Sequence, residues 1–299
     1  MGSALRYFIG VTLVVLLCVA SAWVYFRGRA LSEAPKRPFD HPLLNRLEKG
    51  GPQLIAYQGA SLEFPGNTMP AFEKAASLSP DMMLWVDARP TVDGVLVAFE
   101  SRDLAAMTEG NGWVQYTTAA DLEKLDAGYR FTMDHGQSFP FRGKGLRVLR
   151  LQEVLKAFPT HSFVINFRDY KQGMDVAIEK LIEEVGAGDR VLITSTEDGI
   201  LRDLREQRPQ WAFGTSQAQG TRLLMFSSIG LEATIPLQGD VFMAVSSDQP
   251  RHIQINDRIL NEVRRRKLKV IAGPFDNMSA IPADSAARNV DAVLLRDAQ

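Results

Sequence analysis

The chain has 299 residues, 45% of them hydrophobic, which suits one large globular core. Lys and Arg number 34 against 35 Asp and Glu, a net charge of -1. That balance argues against a general nucleic-acid binder, so no nucleic acid is expected among the partners. The single cysteine, Cys18, excludes an intrachain disulfide and a thiolate metal site and leaves the redox compartment open.

The first element is apolar. No charge falls between Tyr7 and Phe26, and a helix of that length spans about 30 Å, the thickness of a bilayer core. Arg6 closes one end and Arg27 and Arg29 the other, with Trp23, Tyr25 and Phe26 where an aromatic belt lies. Ala20-Ser21-Ala22 resembles a signal-peptidase site, but apolar residues continue beyond it to Phe26, so an uncleaved single-pass anchor (residues 1–29) is the expectation. Sidedness is signalled in two directions. Arg27, Arg29, Lys36 and Arg37 outnumber the positive charges before the helix, which favours a cytoplasmic domain; a short N-terminus before a signal-like segment favours export, and the reading leans slightly to the exported side. Residues 30–51 read as a polar linker.

From Gln53 onward short apolar runs alternate with helical patterns. Strands are expected at Leu54–Tyr57, Met83–Asp87, Val95–Phe99, Phe163–Phe167, Val191–Thr194, Trp211–Gly214, Val241–Val245, Leu268–Ala272 and Ala292–Leu295. Asn67 or Thr68 can cap a helix with Pro70 in its first turn. Met174, Ala177, Ile178, Leu181, Ile182 and Val185 follow one helical stripe, and Ile255, Ile259, Leu260 and Val263 another. Repeated strand–helix units predict a parallel (β/α)8 barrel over residues 52–299. The tight turn Val92-Asp93-Gly94 predicts a hairpin rather than a helix between the second and third strands, and one of the nine candidates must lie outside the barrel. Residues 101–147 break the pattern and read as an insertion above the strand ends, with one short helix near Thr118–Leu125.

Leu54-Ile55-Ala56-Tyr57-Gln58-Gly59-Ala60-Ser61 followed by Pro65-Gly66-Asn67-Thr68 resembles the opening of the glycerophosphodiester phosphodiesterase family, I-A-H-R-G-A-S and then P-E-N-T. Asp87 with Asp93-Gly94-Val95, Thr108-Glu109-Gly110-Asn111-Gly112, Leu125-Asp126-Ala127-Gly128-Tyr129 and Leu151-Gln152-Glu153-Val154-Leu155 continue the likeness in order. It implies a TIM-type barrel of the phospholipase-C-like phosphodiesterase kind. It also implies hydrolysis by an acid–base histidine pair beside a carboxylate-bound divalent metal. Against that pattern the first histidine and its arginine become Tyr57 and Gln58, and the glutamate of P-E-N-T becomes Gly66. The E-x-D pair becomes Trp85-Val86-Asp87, and the second histidine and its aspartate become Glu100 and Ser101. E-x-K becomes Asn166-Phe167-Arg168, and the tryptophan of the late W-T-V-N run becomes Gly273.

A hard divalent cation wants several oxygen ligands, and at the matched positions only Asp87 persists. The expectation is therefore a membrane-bound, inactive member acting as a binding or interaction module, with no cofactor. Tyr57, Gln58 and Glu100 hold the family's catalytic positions, and Asn67 and Arg168 are the candidate ligand-binding residues, Arg168 for a phosphate-bearing or lipid head-group ligand. The alternative is a slow or rebuilt phosphodiesterase in which Asp87, Glu100 and Glu63 hold Ca²⁺ or Mg²⁺ weakly. His135 and His161 lie off the motifs and read as surface or packing residues.

Overall fold

In the computed structural model, residues 2–32, 40–47, 51–245, 255–281 and 289–297 are described. The strands are β1 (Gln53–Tyr57), β2 (Met83–Pro90), β3 (Leu96–Ala98), β4 (Leu149–Arg150), β5 (Phe163–Phe167), β6 (Val191–Ser195), β7 (Ala212–Phe213), β8 (Val241–Val245), β9 (Lys269–Phe275) and β10 (Ala292–Leu295). The helices are α1 (Gly2–Ser32), α2 (Pro42–Arg46), α3 (Met69–Leu78), α4 (Ala119–Leu122), α5 (Leu151–Ala157), α6 (Met174–Glu184), α7 (Asp198–Gln207), α8 (Gln217–Ser227) and α9 (Asp257–Arg265).

Eight strands run parallel in the order β7-β6-β5-β2-β1-β10-β9-β8. A single parallel bridge from Gly214 to Val241 joins the two ends, so the sheet is a nearly closed barrel. Alternation with period two decides which side chains go where. Ile55, Tyr57, Met83, Trp85, Val164, Leu192, Met243 and Leu294 fill the barrel interior. Their strand neighbours Ala56, Leu84, Val86 and Ile165 pack outward with Phe72 of α3, Val154 of α5, Ile178 of α6 and Leu204 of α7. On the other side, Leu223 of α8 and Ile259 and Val263 of α9 cover β8 and β9.

The ninth candidate strand is the hairpin arm. β3 pairs antiparallel with β2 through the turn at Val92-Asp93-Gly94, and β4, too short to show a period, pairs antiparallel with β3. The insertion has an apolar cluster of its own, with Leu104, Val114, Leu122 and Val148 around Val97 and Phe99.

Within the stretch expected to be a polar linker, residues 40–47 carry α2, and Leu43, Leu44 and Leu47 are buried against the lowest residues of the barrel interior. His41 caps that helix, its Nδ1 accepting from the Leu43 N–H at 3.2 Å. The rest of that stretch, apart from the end of α1 and Gly51, lies outside the described residues. Within α1, Arg6–Gly28 is long and apolar enough to cross a membrane, and a signal sequence meets the same test.

Candidate functional site

Strand register assembles the site. Asp87 on β2 lies beside Asn166 on β5, and Tyr57 on β1 beside Trp85 on β2. Asp87 is completely buried. One carboxylate oxygen accepts from Gln58 Nε2 at 2.6 Å and the other from Asn166 Nδ2 at 2.7 Å. Arg168 Nε lies 3.5 Å from the latter oxygen. A buried carboxylate is costly without partners of this kind. The Asp87 backbone N–H donates to Asn67 Oδ1 at 3.1 Å.

Two backbone features make this possible. Gln58 (φ 56°) and Asn67 (φ 59°) both adopt the left-handed conformation; the Gln58 amide meets the Asp87 carboxylate and the Asn67 amide its backbone N–H. Gly66 leaves room for one of them: a Cβ there would stand 2.4 Å from Gln58 Oε1. The glycine at the family's glutamate position thus gives space to the glutamine at its arginine position. Asn67 does not cap α3. Thr68 is the N-cap residue, and its hydroxyl donates to the Pro65 carbonyl oxygen at 2.5 Å.

Glu100 forms the second half of the site. Its Oε1 accepts from Arg168 Nη2 at 3.0 Å and from the Tyr57 hydroxyl at 3.4 Å. Its carbonyl oxygen accepts from Arg89 Nε and Nη2 at 2.9 and 2.7 Å. Arg89 also pairs with Asp169, whose Oδ1 takes Arg102 Nη2 at 2.7 Å. Arg168 is thus paired with Asp87 and Glu100 rather than with the adjacent Asp169. Three guanidiniums face three carboxylates, so the network has no net formal charge. Burial, then the guanidiniums of Arg168 and Arg102, lower the Arg89 pKa to about 10; it stays charged at neutral pH. Burial, and then the Asp87 and Glu100 carboxylates, push the Tyr57 phenol far above its ordinary range.

Arg89, Arg102 and Asp169 did not stand out from motif matching. The usable signal was spacing at one of them: Arg89 follows Asp87 by two on one strand, which puts it on the same face; Arg102 and Asp169 lie outside the strands, where spacing carries no such signal. Glu63 stays apart from this group, 3.8 Å from Lys74 of α3.

These residues do not suit a divalent cation. Asp87 offers both oxygens to amide donors, a guanidinium occupies its flank, and Trp85 stands where the family has a carboxylate. Among the described residues no three Asp, Glu, His or Cys side chains are grouped to hold a metal. No described histidine lines the mouth. His41 caps α2 below the barrel floor, and His161 packs its ring on Phe158. The His135 backbone is left-handed (φ 57°) within the insertion, and His252 lies outside the described residues.

Tyr57 and Trp85 lie with ring centroids 5.8 Å apart. With Met243 and Val245 they leave a cavity of about 20 Å³, also lined by Asn166, Arg168, Thr194, Ser195 and Gln217. That is room for roughly one water, against about 300 Å³ or more for a small-molecule site. Trp85 Nε1 is buried there without a hydrogen-bond acceptor among the described residues.

The chain resembles known proteins along most of its barrel. It is 31% identical over 166 residues to a glycerophosphodiester phosphodiesterase of Caldanaerobacter subterraneus subsp. tengcongensis, covering 54% of this chain and 65% of that one. It is 29% identical over 153 residues to an uncharacterised protein of Mycobacterium tuberculosis, covering 50% of each. The chain thus spans about half to two thirds of the length of these relatives. The glycerophosphoryl diester phosphodiesterase domain of an uncharacterised M. tuberculosis protein superposes with a TM-score of 0.68 at 19% identity, over 83% of this chain and 97% of that one. An Oleispira antarctica phosphodiesterase in complex with the product sn-glycerol-3-phosphate superposes with a TM-score of 0.60 at 19% identity, over 82% of this chain and 93% of that one. These two show the shared barrel. The profile of the glycerophosphoryl diester phosphodiesterase family matches residues 58–293, and the chain belongs to that family.

Proposed function

We propose that this protein is a membrane-anchored, non-catalytic member of its family whose barrel serves as a binding or interaction module. One observation carries the reading: the Asp87 carboxylate is held by Gln58, Asn166 and Arg168, the donors that take the place of a metal's surroundings. The small mouth volume supports it, as does Tyr57 at a position where the family uses an acid–base histidine. Acid–base groups contribute about 10²–10⁴-fold each, and a phenol held well above its normal pKa is a poor base.

The ligand chemistry best supported is a phosphate-bearing small molecule or head group. The Oleispira neighbour holds sn-glycerol-3-phosphate, and Arg168 is a cation lining the mouth of this barrel. Any anion must compete with Asp87 and Glu100 for that guanidinium, so a millimolar dissociation constant is expected, about 4 kcal/mol. A second reading, a slow or rebuilt phosphodiesterase, draws on the hydrogen bond from Tyr57 to Glu100.

The deciding measurement is turnover of glycerophosphocholine and glycerophosphoethanolamine by the full chain in detergent, with Ca²⁺ or Mg²⁺, followed by phosphorus NMR. No release above background is expected. Turnover that disappears in Asp87→Ala or Glu100→Ala would establish the second reading instead.

A further inference from the structure

The end of α1 is docked on the barrel. Trp23 Nε1 donates to the Ile229 carbonyl oxygen at 3.2 Å. The Arg27 guanidinium donates to the Gly230 carbonyl oxygen and pairs with Glu232 at 3.3 Å. Glu232 is 3% exposed, so this ion pair reaches into the body of the domain. Arg266 holds the same turn from the other side, donating to the carbonyl oxygens of Glu232, Ala233 and Ile235.

The position of that turn orients the molecule. Ile229–Glu232 lie between the C-terminal end of α8 and the start of β8. In a (β/α)8 barrel such connections lie at the face where strands begin, opposite the site face. The apolar helix therefore meets the barrel beneath its floor, away from Asp87. Around the junction, Met225 is 66% exposed, Ile229 60% and Phe226 37%. Met225 and Phe226 lie in the last turn of α8 and Ile229 just beyond it, where its carbonyl oxygen meets Trp23 in the aromatic end of α1. Trp side chains settle at the membrane interface, and Ile229 is tied to one of them. Arg264 and Lys267, exposed at the end of α9, lie on the same face and suit anionic head groups.

Resting on the reading of α1 as a membrane span, we propose that Met225, Phe226 and Ile229 insert into the interfacial layer of the bilayer that α1 crosses. The barrel then stands on the membrane by the face where its strands begin, with the Asp87 site directed into the aqueous phase. Continuity with α1 is what selects a lipid surface, rather than another protein, as the occupant of this patch. A site so directed meets its ligands from the aqueous phase.

The full chain with Cys18→Ser and one added cysteine (Met225→Cys, Ile229→Cys or, on the insertion at the site face, Met133→Cys) carries an environment-sensitive fluorophore. It is reconstituted into phosphatidylcholine vesicles containing doxyl lipid. Labels at 225 and 229 are expected to lose most of their emission and the label at 133 to keep it. Equal emission at all three in chains that float with the vesicles overturns the proposal, and quenching confined to 133 reverses the orientation and overturns it too. Chains that fail to float remove the membrane-span reading itself, and this inference with it.

Discussion

Asp87 shows what a fully buried carboxylate requires of its neighbours. A carboxylate with no exposure destabilises a fold unless donors surround it, and here the donors are Gln58, Asn166 and Arg168. The amides are short, so the carboxylate is held by charge-assisted hydrogen bonds rather than by charge alone. Asn166→Ala should therefore cost about 1.5–3 kcal/mol of folding stability, read from the shift in the urea midpoint at unchanged slope. A shift indistinguishable from that of an exposed control such as Gln210→Ala would mean that Asn166 contributes nothing to holding Asp87. Gly66 belongs to the same arrangement, because any side chain there meets the Gln58 amide.

At the scale of elements, α2 is the least expected piece and one of the more consequential. It closes the lower end of the barrel with Leu43, Leu44 and Leu47, and its start depends on His41. That imidazole is 2% exposed; Nδ1 accepts from the Leu43 N–H, and Nε2 lies 3.2 Å from the Gly188 carbonyl oxygen. With Nε2 as the donor the ring is neutral, and protonating Nδ1 breaks the cap. Burial lowers its pKa, partly offset by Gly188 and nearby aspartates. The folded value lies below the unfolded one, so the contribution is present above the unfolded value of about 6.5. It is lost as pH falls through that value toward the folded one. Urea midpoints measured from about pH 7.5 to about pH 5 should fall, and His41→Asn, which retains a cap acceptor without a titrating group, should flatten that fall. An unchanged slope in the variant would remove His41 from the acid response.

On the scale of the whole molecule, the apolar helix and the barrel are coupled through Arg27 and Glu232. The arginine is partly exposed and the glutamate is not, so the pair is worth less than a fully buried one, while losing the arginine leaves the glutamate stranded. Arg27→Ala should lower the unfolding free energy of the full chain in detergent by about 1–3 kcal/mol, and Arg27→Ala with Glu232→Gln should recover part of that loss. Failure of the double variant to recover any of it would mean that the contact acts through packing, not charge. The barrel tolerates an altered mouth because fold and site draw on different residues. Outward positions such as Leu84, Val86 and Ile165 hold the helices on, while the inward ends of the same strands carry Asp87 and Asn166.

Strand positions were legible in the sequence because a short unbroken apolar run is a local signal. Phe163–Phe167, Val241–Val245 and Ala292–Leu295 begin and end where that pattern does. Family membership was legible for a related reason: the glycine, proline and asparagine positions of Gly59-Ala60-Ser61 and Pro65-Gly66-Asn67-Thr68 serve turns, and turn geometry demands particular residue types. The substitutions at Tyr57, Trp85, Glu100 and Asn166 could be named from sequence, but not their new partners. Gln58, Asn166 and Arg168 meet at Asp87 only because β1, β2 and β5 are adjacent in the sheet, and adjacency is a property of the closed barrel. The same holds for α2, whose leucines read as linker until the barrel floor exists to bury them, and for Trp23 and Arg27, whose partners lie more than 200 residues away in the chain. Local periodicity encodes elements; only tertiary closure brings distant side chains within hydrogen-bonding range, and the character of this site depends on those contacts.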